Sequence, residues 1–508
     1  MAYPLYLGAL LCLAVIFTVK RLASYLSAYR FKKAHGCKPV RRLPQSERIL
    51  GWAYFRRQMK AVKEKRILEE MRSIYDSHGP TFSSVVLGGH LINTIDPENI
   101  KTILASSFAD FGLGGRLKAF GPLLGNGIFT SDGAAWEHSR AIVRPNFTRN
   151  QVADLDTFET HIQHLIAKIP RDGSTVDLQT LFFQLTLDSS TEFLFGESVS
   201  SLRSTEGSEQ ERFGRCFDFA QSKLGNRTRL GKFSALFRDT EFDEACKTVH
   251  KFVDKIVYRA LLENPPSSTD PEKSVDGKDA SQRYVFLTEL VKATRDPKQL
   301  RDELLNILLA GRDTTASLLS HTFHVLAQRP DIFKKLRFEV DSLNGELPTY
   351  ETLKSMKYLK YILNESLRLY PVVPTNGRYA NKDTVLPRGG GPDGQSPIFI
   401  PKGLTVVYSV YTMHRRTDIF GPDALDFRPE RWAPEEGLRP GWAYLPFNGG
   451  PRICVGQQFA LAEASYAIVR LLQEFERVED RDGEGLVPQL GLTMASANGV
   501  KVAMIPRA

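Results

Sequence analysis

The chain has 508 residues, of which 42% are hydrophobic and 25% are charged. This ordinary composition excludes a disordered chain, a collagen-like fibre and a small disulfide-linked scaffold. The net charge of +9 is concentrated, because residues 20–42 hold eight basic residues and no acidic one. The rest of the chain carries 59 basic and 58 acidic residues, so the overall charge does not indicate nucleic-acid binding.

The N-terminus has the pattern of a membrane anchor. Ala2 to Val19 carries no charge and would span ~27 Å as a helix, enough to cross the apolar core of a bilayer. The basic residues follow this segment, whereas a cleaved signal peptide has them in front, so we expect an uncleaved anchor with its N-terminus outside and the body cytosolic. A buried core helix is the alternative. The following basic residues are Lys20, Arg21, Arg30, Lys32, Lys33, Lys38, Arg41 and Arg42.

Behind the anchor and its basic hinge (1–43), the sequence predicts one mainly α domain with small β-sheets (44–508). Residues 263–283 are polar with three prolines and predict a surface linker, too short and central to separate two domains. Helical periodicity is found in 50–77, 151–169, 296–330, 358–371 and 456–475, and strand-like alternation in 83–95 and 398–409. The cysteines are scattered, which favours neither a zinc site nor a disulfide framework and fits a reducing compartment; they are Cys12, Cys37, Cys216, Cys246 and Cys454.

Cys454 lies in a glycine-rich loop, FNGGPRICVG (447–456), directly before a predicted amphipathic helix. Free N–H groups at a helix start favour a thiolate, and the loop glycines permit the close approach of a large planar group. Arg452 adds a planar cation suited to a carboxylate. A lone cysteine is more often a buried structural residue, so the functional interpretation depends on the combined spacing of Phe447, Gly450, Arg452, Cys454 and Gly456.

This F-x-x-G-x-R-x-C-x-G pattern resembles the haem-ligand signature of the cytochrome P-450 monooxygenases. The resemblance implies that the cofactor is haem b (iron protoporphyrin IX), that Cys454 is its thiolate axial ligand, and that Arg452 pairs with a haem propionate. In that family the thiolate pushes electron density onto iron and favours O–O cleavage.

A second motif concerns Glu365 and Arg368 in YLKYILNESLRLYP, which are i, i+3 neighbours on one helix face. Taken alone, such a pair is usually a weak surface ion pair. The family carries an E-x-x-R pair here that is joined by an arginine of a P-E-R segment. The resemblance therefore implies a structural charge network of Glu365, Arg368 and Arg431 that supports the thiolate loop.

A third motif interrupts the predicted helix 296–330, where charged and hydroxyl side chains follow apolar ones. Polar groups in a buried helix are costly unless they are satisfied, so a helix bend or a salt bridge is one explanation. Ala310 to Thr315 also matches the family motif A-G-x-D-T-T. The resemblance implies that Gly311 leaves room for dioxygen, that Thr314 hydrogen-bonds the oxygen species on iron, and that Asp313 helps to bring protons in.

Further cofactor contacts are implied by the same resemblance. Trp136 and Arg140 match the W-x-x-x-R of the helix that touches the propionates. Arg378 is expected as a further propionate cation, and His414 as an additional contact.

Several segments, including the triple-glycine insert Leu386 to Pro397, look very like the fungal microsomal alkane and fatty-acid hydroxylases. The resemblance implies hydroxylation of long aliphatic chains at or near the terminal carbon, at the endoplasmic reticulum membrane, with the N-terminus lumenal. It also implies electrons from NADPH through a separate flavoprotein reductase, since the chain has no flavin or Rossmann fingerprint. The expected substrate contacts are Phe108 to Leu124, Ile307 to Thr315, Val372 to Thr375 and Leu492 to Ala495.

Two alternatives remain open. One is the same chemistry on a terpenoid or a polyketide in a secondary-metabolite pathway. The other is a haem-binding protein without monooxygenase activity, against which the Asp313–Thr314 pair and the complete thiolate loop argue.

Overall fold

The computed structural model describes residues 3–47, 49–147, 155–205, 207–231, 239–265 and 285–507. Its helices are α1 (Tyr3–Ala34), α2 (Trp52–Lys63), α3 (Ile67–His78), α4 (Pro97–Lys101), α5 (Arg116–Leu124), α6 (Gly133–Val143), α7 (Leu155–Lys168), α8 (Leu178–Phe195), α9 (Glu209–Leu230), α10 (Thr240–Glu263), α11 (Phe286–Ala293), α12 (Pro297–Gln328), α13 (Pro330–Asp341), α14 (Tyr350–Ser355), α15 (Lys357–Leu369), α16 (Val410–Met413), α17 (Thr417–Phe420) and α18 (Gln457–Glu474). The strands are β1 (Thr81–Val86), β2 (Gly89–Thr94), β3 (Phe111–Gly112), β4 (Thr175–Asp177), β5 (Thr375–Ala380), β6 (Thr384–Gly390), β7 (Ser396–Ile400), β8 (Thr405–Ser409), β9 (Phe475–Asp480), β10 (Pro488–Leu490), β11 (Met494–Ser496) and β12 (Lys501–Pro506). The predicted fold class, mainly α with small sheets, is confirmed.

The predicted helices agree with the structure except in one place. The periodic stretch 50–77 is two helices, α2 and α3, because the chain turns at Lys65, whose φ is +60°. Residues 151–154 of the predicted helix 151–169 lie outside the described residues, as does most of the predicted linker 263–283.

Both predicted strands are also divided by turns. Residues 83–95 form most of the antiparallel hairpin β1–β2, which turns at Leu87 and Gly88 with φ of +48° and +75°. Residues 398–409 belong to β7 and β8, which lie in different sheets and are separated by a turn at Gly403. Alternation of apolar residues continues through tight turns, so periodicity alone did not reveal them.

The largest sheet has five strands in the order β1-β2-β8-β5-β3. Strands β2 and β8 run parallel, with Leu91 opposite Thr405, and the other neighbours are antiparallel. This sheet places Arg378 on β5, where it is buried.

Helix α12 is the central element of the core and packs along α8. Its Asp296 cap accepts a hydrogen bond from the Lys298 amide, and Pro297 occupies the first turn, as the sequence predicts. Apolar residues up to Leu309 belong to one hydrophobic cluster and those from Ala316 onward to another. The polar residues between them therefore lie at the junction of two cores.

Helix α1 is solvent-exposed at its described positions except Ala28 and Phe31, which are half-buried, and it extends to Ala34, beyond the predicted apolar segment. The stretch Leu11–Ala34 has a mean hydropathy of 1.5 in its most apolar window, none of it buried. Within the described ranges, this is the one helix long and apolar enough to cross a membrane.

Candidate active site

The loop that carries Cys454 is held through its backbone. The Cys454 amide donates to the Phe447 carbonyl at 3.0 Å, which closes the loop on itself. Arg140 on α6 donates to the Ile453 carbonyl at 3.1 Å, so α6 and the loop are directly joined. Both bonds act on the main chain of the loop, so they restrain the backbone on either side of the Cys454 sulfur.

Two loop glycines differ in why they are needed. Gly450 has φ of +69°, and a Cβ there would lie 1.8 Å from the Leu104 carbonyl oxygen, so only glycine fits. Gly456 has φ of −90°, and a Cβ there would make an ordinary 3.6 Å contact with Phe147. The protein backbone therefore requires glycine at Gly450, whereas any steric demand at Gly456 comes from a bound group.

The Cys454 side chain reaches solvent, although protein atoms surround most of the sulfur. Burial raises the pKa of the Cys454 thiol, while the Gly456 amide and the charge of Arg140 act in the opposite direction. The predicted stabilisation at the helix start is therefore outweighed by burial, and a metal ion bound to the sulfur would favour the thiolate.

Cationic side chains gather beside this loop. Arg452 lies 4.4 Å from the Trp136 ring centroid and donates to Asp132 at 2.6 Å. Arg116 and Arg378 both donate to the Asn376 side-chain oxygen, at 3.0 and 3.1 Å.

The cations of this cluster repel one another. Burial lowers the pKa of Arg116 to about 10, and the charges of Arg378 and Arg452 act in the same direction. Burial likewise lowers the pKa of Arg452 to about 10, with Asp132 opposing and Arg378 and Arg140 adding to the effect. In the described part of the chain, Asp132 is the acid that forms an ion pair with this cluster. An anionic group bound here would relieve the repulsion.

These features fit a haem. No group of three or more His, Cys, Asp or Glu side chains within the described ranges is arranged to hold a metal ion. A metal at Cys454 therefore takes its other ligands from a non-protein group. The arginine cluster beside Trp136 would hold the two carboxylates of a haem, and Cys454 would supply a sulfur ligand to its iron.

On α12, the open positions are Ala310, Gly311 and Thr314, whereas their neighbours on the helix are buried. The Thr314 hydroxyl donates to the Ala310 carbonyl at 2.6 Å, a bond from residue i to i−4 that uses the helix's own backbone. This places a hydroxyl and a weakened helix turn on the accessible face of α12.

Asp313 is buried, and its partners are side chains of other residues, unlike those of Thr314, which binds the backbone of its own helix. Arg312 donates to it at 2.8 Å and also binds Asp218 of α9 at 2.7 Å. The side chains of Gln221, also on α9, and of Thr493 donate to Asp313 as well. Burial raises the pKa of Asp313 even though Arg312 opposes it. The acid is therefore held between α9, α12 and the turn before β11.

The missing side chain of Gly311 is explained by helix packing. A Cβ at Gly311 would lie 2.8 Å from the Ser190 hydroxyl of α8. The glycine is needed because α8 and α12 pack so closely at this point.

The structure brings Glu365, Arg368 and Arg431 together as a fully buried cluster. Arg368 binds both Glu365 oxygens, at 2.8 and 2.9 Å, and Arg431 binds one of them at 2.8 Å. The Trp432 ring N–H completes the carboxylate at 2.9 Å. Arg431 also forms an ion pair with Asp423 at 3.3 Å. Other arginine donors bind backbone carbonyls, including those of His414, Phe420, Ala424 and Asp426.

The expectation that His414 contacts a propionate is wrong, because both of its ring nitrogens are occupied by backbone. Nδ1 donates to the Arg368 carbonyl, and Nε2 accepts from the Leu445 amide at 2.9 Å. Burial lowers the pKa of His414 to about 3, consistent with this neutral tautomer. His414 therefore links the buried charge cluster to the chain that leads into the Cys454 loop.

Three of the four expected substrate segments meet in one hydrophobic cluster, which contains residues from Phe108 to Leu124, Ile307 to Leu309, and Leu492. The fourth is joined to them by the Met494 amide, which donates to the Val372 carbonyl at 2.9 Å. Val373 beside it is 39% exposed. Ile307 to Leu309 directly precede Ala310, Gly311 and Thr314, the open positions of α12 that we call the α12 notch.

Sequence reasoning missed several residues of the site. Arg116 and Asp132 were not predicted as site residues. Arg116 follows two glycines and Asp132 lies four residues before Trp136, and these positions could have indicated them. Asp218 and Gln221 had no such signal, because nothing in the sequence of α9 marks a contact with α12.

The family model for cytochrome P450 matches residues 48–499. The cytochrome P450 monooxygenase himC of Aspergillus japonicus is 46% identical over 494 residues, covering 96% of this chain and 88% of its own. Cytochrome P450 52A13 of Debaryomyces hansenii is 46% identical over 505 residues, covering 95% of each chain. Cytochrome P450 52A5 of Candida maltosa is 50% identical over 444 residues, 84% of this chain and 82% of its own. These matches span the thiol loop, the arginine cluster and the α12 notch, and the chain belongs to the cytochrome P450 family of haem-thiolate monooxygenases.

Proposed function

We propose that this monooxygenase hydroxylates long aliphatic chains, alkanes or fatty acids, at or near the terminal carbon. The observation that carries the proposal is the apolar cluster in which Phe108 to Leu124, Ile307 to Leu309 and Leu492 meet beside the α12 notch. An apolar site with few polar groups selects chains without hydrogen-bonding partners along their length. The likeness of the insert 386–397 to that of the fungal alkane and fatty-acid hydroxylases supports the same substrate class.

In this proposal, Cys454 binds the haem iron, and the cations Arg140, Arg378 and Arg452 hold the propionates, with Trp136 against the macrocycle. Phe447 and Gly456 complete the loop around it. The haem, when bound, supplies dioxygen activation and C–H oxidation. Glu365, Arg368 and Arg431 keep the loop in place and take no part in the chemistry.

On the opposite side of the haem, Thr314 and Asp313 serve proton delivery. The Thr314 hydroxyl is held on the accessible face of α12 and is able to both accept and donate a proton. The buried Asp313 lies next in sequence, and its raised pKa makes the carboxyl a better proton donor near neutral pH than an exposed aspartate.

The electrons come, in this proposal, from an NADPH-dependent flavoprotein reductase. Arg140 and Arg144 on and beside α6 lie close to the Cys454 loop, and a positive surface there suits an acidic partner. The rate of the first reduction is expected to fall as ionic strength rises, and a rate independent of salt counts against this surface.

The membrane proposal places α1 across the endoplasmic reticulum membrane, with the N-terminus lumenal and the catalytic domain cytosolic. The apolar stretch Leu11–Ala34 and the basic residues that follow Val19 support this orientation. A glycosylation tag at the N-terminus of the protein in microsomes is expected to be modified, while the C-terminus remains open to protease from outside.

Spin-shift titration with alkanes and fatty acids of graded chain length, followed by product analysis with reductase and NADPH, tests the substrate. We expect a shift with these chains and a terminal or near-terminal alcohol as product. Shifts confined to terpenoid or polyketide ligands would move the substrate to that class. Haem binding with no NADPH-dependent product from either set would contradict the proposed oxidation.

A further inference from the structure

The chain leaves α1 in a fixed direction. Gly36 takes φ of +64°, its amide donates to the Lys33 carbonyl, and the Cys37 amide donates to the Lys32 carbonyl at 2.9 Å. This pair of bonds is a Schellman motif, which stops the helix and sets the direction of the next residues. No flexible spacer therefore lies between α1 and residue 38.

Residues 37–43, which we call the juxtamembrane segment, are then bound to the catalytic domain through their backbone. The Lys38 amide donates to the Pro397 carbonyl at 2.8 Å, and the Gly391 amide donates to the Pro39 carbonyl at 3.0 Å. Val40 pairs with Gly390 in an antiparallel bridge. These contacts are all made by the glycine insert 386–397, which we call the glycine hairpin.

The juxtamembrane segment continues onto the main sheet. The Ser83 amide of β1 donates to the Arg41 carbonyl at 2.8 Å, and the Leu43 amide donates to the Ser83 carbonyl at 2.9 Å. The segment therefore acts as an extra strand held on one side by the glycine hairpin and on the other by β1.

The hairpin glycines are explained by this contact. A Cβ at Gly390 would lie 2.6 Å from the Pro397 carbonyl oxygen and 3.0 Å from that of Lys38. A Cβ at Gly389, where φ is +111°, would lie 2.5 Å from the Thr81 side chain. Side chains at these positions would push the juxtamembrane segment and β1 away from the hairpin.

The hairpin itself is rigidly attached to the domain. The fully buried Asn99 side chain accepts from the Arg388 amide and donates to the Arg388 carbonyl, at 3.0 and 3.1 Å. The end of α1 also touches the hairpin strand β7, since the Phe31 ring lies 5.3 Å from that of Phe399. The Lys32 ammonium lies 5.2 Å from the same Phe399 ring.

We propose that the glycine hairpin is the docking site of this chain's own juxtamembrane segment, and that the contact fixes the tilt of the catalytic domain on the bilayer. The inference rests on the proposed membrane anchoring by α1 but not on the identity of the substrate. With α1 and the domain joined as one body, the basic residues 20–42 are presented to anionic lipid headgroups in one orientation.

The first test removes one docking hydrogen bond and compares the result with loss of the lysine charge alone. Lys38→Pro lacks the amide donor to Pro397, whereas the matched control Lys38→Ala loses the same charge but keeps the amide. Amide hydrogen exchange is measured on the full-length holoenzyme in bilayer discs of phosphatidylcholine and phosphatidylserine. We expect roughly fivefold faster exchange at Gly391 and Leu43 in Lys38→Pro and no change in Lys38→Ala. Equal protection in the two variants overturns the docking.

The second measurement addresses orientation through the polarised absorption of the haem in oriented bilayers of the same lipids. The wild type and Lys38→Ala are expected to show one narrow haem tilt, and Lys38→Pro a broad distribution. A narrow, unchanged tilt in Lys38→Pro overturns the claim that docking sets the orientation.

A second variant covers the case in which Lys38→Pro fails to bind haem. A flexible Gly-Ser-Gly-Ser insertion after Gly36 leaves the docking bonds in place but separates them from α1. We expect Gly391 to stay protected while the tilt distribution broadens, and an unchanged tilt contradicts the proposal. Neither readout uses a substrate, so failure of the hydroxylation proposal leaves both results unaffected.

Discussion

The two parts of the proposed site are organised differently. We call the part around Cys454 and the Glu365–Arg368–Arg431 cluster the thiol side, and the part around Thr314 and Asp313 on α12 the oxygen side. On the thiol side, Arg368 and Arg431 bind Glu365 and a series of main-chain carbonyls, and the Cys454 loop is closed by its own backbone. On the oxygen side, Asp313 depends on side chains from α9 and from the turn before β11. The thiol side is therefore encoded within short motifs, whereas the oxygen side depends on how distant elements pack.

Breaking the thiol side is expected to have the largest effect. Glu365→Gln leaves the buried Arg368 without its carboxylate and Arg431 with only the longer pair to Asp423. We expect a loss of about 3–5 kcal/mol in the free energy of unfolding together with poor haem retention. Denaturant unfolding and haem content measure both effects.

The control is Glu430→Gln, which removes an ion pair with Lys335. The Glu430 side chain is 38% exposed and the Lys335 side chain is 57% exposed. Because that pair is exposed to solvent, its loss is expected to cost less than ~1 kcal/mol. Equal stability of the two variants would contradict the assignment of Glu365 to a structural network.

Breaking the oxygen side should affect turnover and leave the thiol side intact. Asp313→Asn removes the buried proton donor, so we expect a fall of about 10²-fold in product formation with an unchanged ferrous carbon monoxide spectrum. Asp218→Asn removes the other acid bound by Arg312 and leaves the Asp313 carboxyl in place, so we expect a much smaller fall in product formation than in Asp313→Asn. Wild-type turnover in Asp313→Asn would remove this residue from proton delivery.

The arginine cluster is expected to show a smaller effect on haem binding. Arg116→Ala removes one of the cations of the cluster, and we expect about tenfold faster haem loss to an acceptor protein. Lys118→Ala removes an exposed charge from the same helix, α5, and is expected to match the wild type. Similar loss rates for the two variants would place Arg116 outside the propionate site.

Predictions from the sequence were more accurate for the thiol side than for the oxygen side. The bounds of α12 were readable because Asp296 and Pro297 form a local cap, and Glu365, Arg368 and Arg431 met as expected. The error at His414 arose because its two backbone bonds depend on chain segments that sequence does not place.

On the oxygen side, the sequence predicted fewer of the contacts that the structure contains. The sequence indicated that burying Asp313 would be costly without partners. It did not identify the partner Gln221, which lies 92 residues away in a segment that no motif marks. The contact of Gly311 with Ser190 could not be predicted for a similar reason, because the direction of the missing Cβ depends on how α8 packs against α12.

A separate, pH-dependent effect concerns Glu463 on α18, which accepts a hydrogen bond from Ser189 of α8. Burial raises the pKa of Glu463 to about 7 from an ordinary 4.5. The folded state therefore binds this proton more tightly than the unfolded state, and the resulting stability, at most about 3 kcal/mol, is full below pH 4.5 and is lost as pH rises through 7.

Glu463→Gln stays neutral at every pH, so its Tm is expected to exceed that of the wild type at pH 8 and to approach it at pH 5. Thermal unfolding of the two proteins across this range measures the difference. A constant offset at all pH values would show that the carboxyl does not titrate in the folded state.

Everything assigned to the thiol side depends on sulfur from Cys454 binding the haem iron. The ferrous carbon monoxide spectrum of the purified protein and of Cys454→Ala tests this directly. We expect the wild type to show the red-shifted Soret band of a thiolate-ligated haem and the variant to lose it. A wild-type spectrum typical of nitrogen ligation, or a red-shifted band that survives in Cys454→Ala, would contradict the account.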